Sequence, residues 1–226
     1  MRSFIRAYPT ETRLFVVLLA ISVFLSLVSP NFLTLGNVAS LLNNNAVNVI
    51  WAVGLLVVLV SGGIDISFAV AASVVQYLSV YAFSAIGGGN WLFGFVIAAA
   101  LGAAIGFINA GLIHYFRIIS IIVTIATYNA LFGLLMFLTS GRYLYDLPDW
   151  WTNRVVVLHM QTAAGDSGEL TLPVAVMIGA MAVTWALIRY TTTGRQLYAF
   201  GDNPDGAQRA GVSAAQMRFI TVESDL

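Results

Sequence analysis

Apolar residues run along this chain in long blocks, and polar residues gather in the short breaks between them. Residues 14–28, 38–60, 66–86, 91–113, 118–138 and 172–188 each form a run with almost no charge. A bilayer core of about 30 Å is crossed by roughly 20 such residues in a helix. The pattern therefore predicts six membrane spans, of which the first and last borrow flanking residues. The expected fold class is all-α, a polytopic transmembrane helical bundle forming a single domain over residues 1–226. Arginines precede the first run, as in a signal peptide, but no small-residue cleavage site follows, so it reads as an uncleaved helix.

Charge placement orients the spans. Basic residues in short loops stay on the cytoplasmic side, so Arg2, Arg6 and Arg13 put the N-terminus in the cytoplasm. Alternation then places Arg117 with His114 in a cytoplasmic loop, and Arg189, Arg195, Arg209 and Arg218 in a cytoplasmic segment, 189–218. Segment 141–171 falls on the periplasmic side, where Asp146, Asp149, Asp166 and Glu169 outnumber Arg142 and Arg154. Its Leu147-Pro148-Asp149-Trp150-Trp151 stretch fits a short interfacial helix or docking surface, and equally an ordered loop.

Composition narrows the function classes. The chain is 59% hydrophobic and 9% charged, with a mean hydropathy of +0.88, against roughly 25% charged residues in a soluble domain. Net charge is zero, which leaves no basic face for nucleic acid. Cysteine is absent, removing disulfides, thiolate nucleophiles and cysteine-bound metal. All ten basic residues are arginines, so a GxxxxGK[ST] loop cannot form and this chain has no such ATP site of its own. Neither HExxH nor GxSxG occurs, and His114 and His159 fall on opposite sides of the membrane, so an intramembrane enzyme is disfavoured. No catalytic residue, metal or cofactor is expected.

Three polar features interrupt the oily blocks. Ser61-Gly62-Gly63-Ile64-Asp65 breaks the run between the second and third spans. One reading is a turn with Asp65 or Ser67 capping the next helix; the other is a break that shapes a translocation path or gate. Asn44, Asn45 and Asn48 form an amide stripe at helical spacing, which either glues helices or lines a route for a polar solute. Neutral amides both donate and accept, which suits a polyhydroxylated solute better than an ion. Ala98, Gly102, Gly106 and Ala110 make a small-residue ridge for close helix packing. Asn109, Thr124, Thr127 and Asn129 read as interhelical hydrogen-bonding groups or solute ligands.

In TTTGRQLYAFGDNPDGAQRAGV, Asn203-Pro204 reads as N-cap and first helical residue, and Gly211 as the residue after the helix end. A helix that short needs a surface to lie on: either a partner docks there, or the segment rests on the protein's own membrane domain.

Taken together, PNFLTLGNVASLLNNNAVNVIWAVGLLVVLVSGGIDIS and TGRQLYAFGDNPDGAQRAGV resemble the membrane permease subunits of bacterial ATP-binding-cassette importers for ribose and related sugars. The resemblance extends to about Val222. It implies an ATPase-coupling role for Gly194, Arg195, Gly201, Asn203, Ala207, Arg209 and Gly211, and matches Gly62, Gly63, Ile64, Asp65 and Ser67 to the family's turn. Departures are Ile66 for leucine, Phe68 for valine, Ala69 for glycine and Gly206 for alanine. Family members continue through further spans, whereas this sequence ends TVESDL, with Glu223 and Asp225 unsuited to a span; the expectation is a chain truncated at its C-terminus.

The expected function is thus the transmembrane subunit of an ATP-driven importer of a sugar or similar polar solute, in the bacterial inner membrane. Translocation-path candidates are Asn44, Asn45, Asn48, Gly62, Gly63, Asp65, Ser67 and Thr127. Implied partners are a cytoplasmic ATP-binding-cassette ATPase, a periplasmic solute-binding protein, a second permease subunit and membrane lipid. An ion-coupled secondary transporter or channel is the rival, and it normally carries ionisable groups inside its spans, where this sequence has only Asp65, at a break.

Overall fold

The computed structural model describes residues 9–143, 145, 147–162, 165–213, 216–217 and 219–220, without the side chain of Glu11. Arg2, Arg6, Asp146, Arg218, Glu223 and Asp225, invoked above, lie outside the described residues. The helices are α1 Pro9–Val28, α2 Leu35–Val60, α3 Phe68–Ile86, α4 Trp91–Phe116, α5 Ser120–Thr139, the single turn α6 Asp149–Thr152, α7 Leu172–Tyr190, α8 Thr192–Asp202 and α9 Pro204–Arg209. Of the described helices, α2, α3, α4, α5 and α7 are long and apolar enough to cross a membrane, and α1 contributes a shorter apolar stretch, Thr12–Val28. These match the six runs read from the sequence to within a few residues. Large side chains such as Leu14, Phe15 and Phe24 on α1 and Phe137 on α5 are exposed, which is favourable only against an apolar surrounding.

Contacts divide the chain into two units, residues 1–46 with 155–175 and residues 47–154 with 176–226, so α2 and α7 each run from one into the other. In the first unit a small β-hairpin is added to the helical bundle that the sequence predicts. Strands β1 Val156–Gln161 and β2 Ser167–Thr171 form an antiparallel hairpin inside the segment expected to be loop or helix. The reason is local: two valines, Val156 and Val157, open β1, Gly165 at φ +85° turns the chain, and His159 pairs across the ladder with Glu169 at 3.3 Å. The hairpin is fixed to the start of α2 by two side chains. Asp166 accepts from the first amides of that helix, at Leu35 and Gly36, where the positive end of the helix dipole favours a carboxylate. Asn43 donates to the Glu169 carbonyl at 2.7 Å and accepts from the Thr171 amide at 3.0 Å. Gly168 permits the approach, since a Cβ there would lie 2.9 Å from the Leu35 carbonyl oxygen.

In the second unit α3, α4 and α5 pack on one another. The small-residue ridge does what its spacing predicts, with Gly102, Gly106 and Ala110 buried on α4. Beside it, α8 and α9 fold onto the far end of α2. Leu197, Phe200 and Ala207 bury together with Val57 and Met217, and Val60, Leu187, Ile188 and Val212 pack around them.

Candidate functional site

Helix α2 stops because Gly62 adopts a left-handed conformation, φ +80°. Its amide donates to the Leu59 carbonyl at 3.0 Å and the Gly63 amide to the Val58 carbonyl at 3.1 Å, the paired bonds of a glycine-terminated helix. Ser61 adds a third, its hydroxyl donating to Val58 O at 2.7 Å. The chain then runs without regular structure through Gly63–Ser67 before α3 begins. Non-helical backbone next to spanning helices survives only if other groups satisfy it, and hydroxyls one turn apart on α5 do so. Ser120 accepts from the Ile64 amide at 3.0 Å, and Thr124 accepts from the Ile66 amide and lies within donating distance of the Ile64 carbonyl, both at 3.3 Å.

Asp65 folds back on its own segment. Its Oδ1 accepts from the Ser67 amide at 2.6 Å and the Ser67 hydroxyl at 2.7 Å, so Ser67 stands at the N-cap position without using its hydroxyl to cap α3. That hydroxyl instead accepts from Asn109 Nδ2 at 3.1 Å, and Asn109 Oδ1 accepts from Thr127 at 2.6 Å. A continuous polar chain therefore runs from the break through α4 to α5 in an otherwise apolar interior. Ser67, Asn109 and Thr124 are each 1% exposed. Buried groups this well paired hold three helices in one arrangement, because separating any link strands a polar atom.

The segment that follows α7 approaches the same break. Thr191 caps α8, accepting from the Gly194 amide at 3.0 Å. Gly194 sits hard against the end of α7: a Cβ would lie 2.3 Å from the Ile188 carbonyl oxygen. At the other end of α8, a Cβ on Gly201 would lie 2.0 Å from the Val60 carbonyl oxygen, and one on Gly62 would lie 3.4 Å from the Gly201 carbonyl oxygen. The end of α8 and the end of α2 thus meet backbone to backbone, through two glycines. Asn203 then caps α9, accepting from the Gly206 amide at 2.9 Å, with Pro204 in the first turn. Helix α9 closes on Gly211 at φ +90°, whose amide donates to Gln208 O at 3.0 Å while Val212 donates to Ala207 O at 3.0 Å, the same terminator that ends α2. Asn203, Pro204 and Gly211 occupy the positions read from the sequence; the whole of α8 was unexpected.

A cavity of about 260 Å³ lies where these parts converge, with Asp65, Ser120, Thr124, Phe200, Gly201 and Pro204 on its walls. The candidates named from sequence sort into groups. Gly62, Gly63, Asp65 and Ser67 form the break, and Thr127 is tied to it through Asn109. Gly194, Gly201 and Ala207 face inward or lie at close approaches, whereas Arg195, Asn203 and Arg209 are exposed. Asn44, Asn45 and Asn48 are exposed as well, and Asn45 turns back to its own helix at the Leu41 carbonyl. Asn129 does likewise at Ile125, so it bridges no helices. Sequence reading missed Ser120, whose spacing of four from Thr124 was the available signal, and Asn43, adjacent to the stripe yet bound to the hairpin.

Residues 37–222 match the family model described as branched-chain amino acid transport system / permease component. The chain is similar to the ribose import permease protein of Escherichia coli strain K12, 28% identical over 97% of this chain and 66% of that protein. It is also similar to the autoinducer 2 import system permease protein of Photorhabdus luminescens, 27% identical over 93% of this chain and 60% of that one, and to the ribose import permease protein of Haemophilus influenzae, 25% identical over 93% and 63%. The chain thus spans about two-thirds or less of the length of these relatives. No solved structure matches it significantly.

Proposed function

The chain belongs to the family of branched-chain amino acid transport system permease components, and from that membership we propose that it is the transmembrane subunit of an ATP-driven importer. Relatives that are bacterial import permeases and five helices of spanning length support its place as a multi-pass protein of the inner membrane. The solute is a sugar or similar polar molecule. Relatives named for ribose import support this, as does the absence of charged side chains away from the ends of α3, α4, α5 and α7, which would leave a zwitterionic amino acid without partners. The N-terminus and the segment 189–218 lie in the cytoplasm and the hairpin segment 141–171 in the periplasm, as the arginines direct.

One observation carries the mechanism: α8 abuts the glycine break with no room for a single carbon between Gly201 and Val60. A cytoplasmic ATPase that moves α8 and α9 pushes on the end of α2 directly. The break can answer, because its irregular residues are held to α5 by two hydroxyls rather than by a continuous helix. Alternating access follows when the break shifts against α5 and the path opens first to one side, then to the other. A periplasmic solute-binding protein delivers the solute, and a second permease subunit completes the path.

Co-expression of the tagged chain with the ATPase subunit of its importer tests the docking role. Arg195 and Arg209 are exposed, so reversing them leaves the buried cluster intact; the Arg195→Glu, Arg209→Glu double variant should recover roughly tenfold less ATPase than the parent chain. Equal recovery contradicts docking through α8 and α9.

A further inference from the structure

The cavity of about 260 Å³ beside the glycine break contains a charge that the chain itself does not answer. Asp65 stands on its walls and is 9% exposed. Both of its hydrogen bonds come from Ser67 and end on one oxygen, Oδ1. The other, Oδ2, has no hydrogen-bond or ion-pair partner among the described residues. Nor is it sealed in. The side-chain polar atoms of the described residues that are enclosed without a partner are Ser79 Oγ and Trp150 Nε1, neither of them at this cavity, so Oδ2 keeps accessible surface. Lysine is absent from the sequence, and no arginine or histidine among the described residues is on the walls. Two helices, α2 and α8, end at the cavity and two, α5 and α9, begin there. Their terminal partial charges largely offset one another, and the carboxylate sets the sign.

The other walls are mostly apolar, with Val58, Ile113 and Phe200 within and three exposed isoleucines, Ile64, Ile118 and Ile119, beside them. A free inorganic cation takes several oxygen ligands and gains nothing from such walls. A long basic side chain suits both parts: its aliphatic stem lies along apolar surface while its charged head reaches the carboxylate. A buried carboxylate with a lone oxygen is costly, and a charge-assisted hydrogen bond offsets that cost. The proposed orientation puts this end of the helices at the cytoplasm, where exposed isoleucines around a carboxylate form a surface for another protein. Gly201 and Pro204, at the junction of α8 and α9, make one wall. A protein docked on α8 and α9 therefore stands at the opening.

We infer that this cavity receives one arginine or lysine side chain of the cytoplasmic ATPase, with Asp65 Oδ2 as its counter-charge. The contact reaches past α8 and α9 to the break itself, so the ATPase holds the break by a charge as well as pressing on it through Gly201. The inference deepens the importer reading and rests on it for the identity of the partner.

The test measures the ATPase recovered with the tagged chain across a salt series. Asp65→Asn keeps an Oδ1 acceptor for Ser67 but removes the charge. Ile119→Lys, at an exposed position on the wall, brings the chain's own ammonium to the carboxylate. Each should lower recovery at least about tenfold, and Asp65→Asn should flatten the salt dependence. Melting temperature in nanodiscs verifies that both variants fold, and Ile119→Lys carries the test if Asp65→Asn does not. A photoreactive maleimide on Ile119→Cys, a unique thiol in a cysteine-free chain, locates the partner. The captured ATPase peptide should contain an arginine or lysine whose replacement by alanine abolishes the effect of Asp65→Asn. Equal recovery by the parent chain and both variants, or capture confined to lipid and the chain itself, overturns the inference and leaves the importer reading standing. Protection of the Ile119→Cys thiol by sodium or potassium in the chain alone assigns the cavity to a free cation and overturns it too. If the parent chain recovers no ATPase, the importer reading fails and this inference falls with it.

Discussion

Gly201 is the residue on which the mechanical account turns. An added Cβ meets the Val60 carbonyl oxygen at 2.0 Å, a backbone atom that no rotamer change can move aside, so α8 and α2 must part. Gly201→Ala should therefore destabilise the chain by about 2 kcal/mol, read as a lower melting temperature in nanodiscs. Gly133→Ala is the control: nothing lies within 4 Å of its added carbon, and a helix interior favours alanine over glycine by about 1 kcal/mol. If both alanines behave alike, the close approach is not a packing constraint. At this scale the sequence was partly legible. Asp65 and Ser67 were visible as a polar pair at a helix start, but periodicity could not show that Ser67 turns from its own helix to Asp65 and Asn109. Gly194 and Gly201 were visible only through the family resemblance, because a glycine required by a neighbouring backbone looks the same in sequence as one in a loop.

Among the elements, the long helices were legible to within a few residues, since solvation by lipid demands an unbroken apolar run and little else. The hairpin and α8 were not. Both are held by contacts distant in sequence, Asp166 and Asn43 for the hairpin and the Val57, Leu197 and Phe200 cluster for α8, and neither has the length to form without them. Helix α9 was readable because its two ends are local chemistry, an Asn-Pro start and a glycine stop. Its cap should be separable from its packing. Asn203→Ala removes the acceptor for the Gly206 amide and should cost about 1 kcal/mol, which appears as roughly fivefold faster hydrogen exchange at Gly206 and Ala207. Unchanged exchange there would mean that burial of Ala207, not the cap, holds α9 in place.

For the molecule as a whole, the central claim is that α8 and α9 drive the glycine break against the start of α5. Gly201 and Pro204 from one side, Gly62 and Asp65 from the break, and Ile119 and Ser120 where α5 begins share one cavity, so relative motion of the three must change it. The chain has no cysteine, and a thiol pair introduced there is unique. The most direct measurement is solute uptake by the assembled importer carrying Pro204→Cys and Ile119→Cys, before and after bridging with a short thiol-specific cross-linker that a reductant cleaves. The account predicts that the bridged complex keeps its ATPase bound but loses at least about nine-tenths of its uptake, a tenfold change, and that reduction restores it. Uptake that continues unchanged through the bridge would contradict the account.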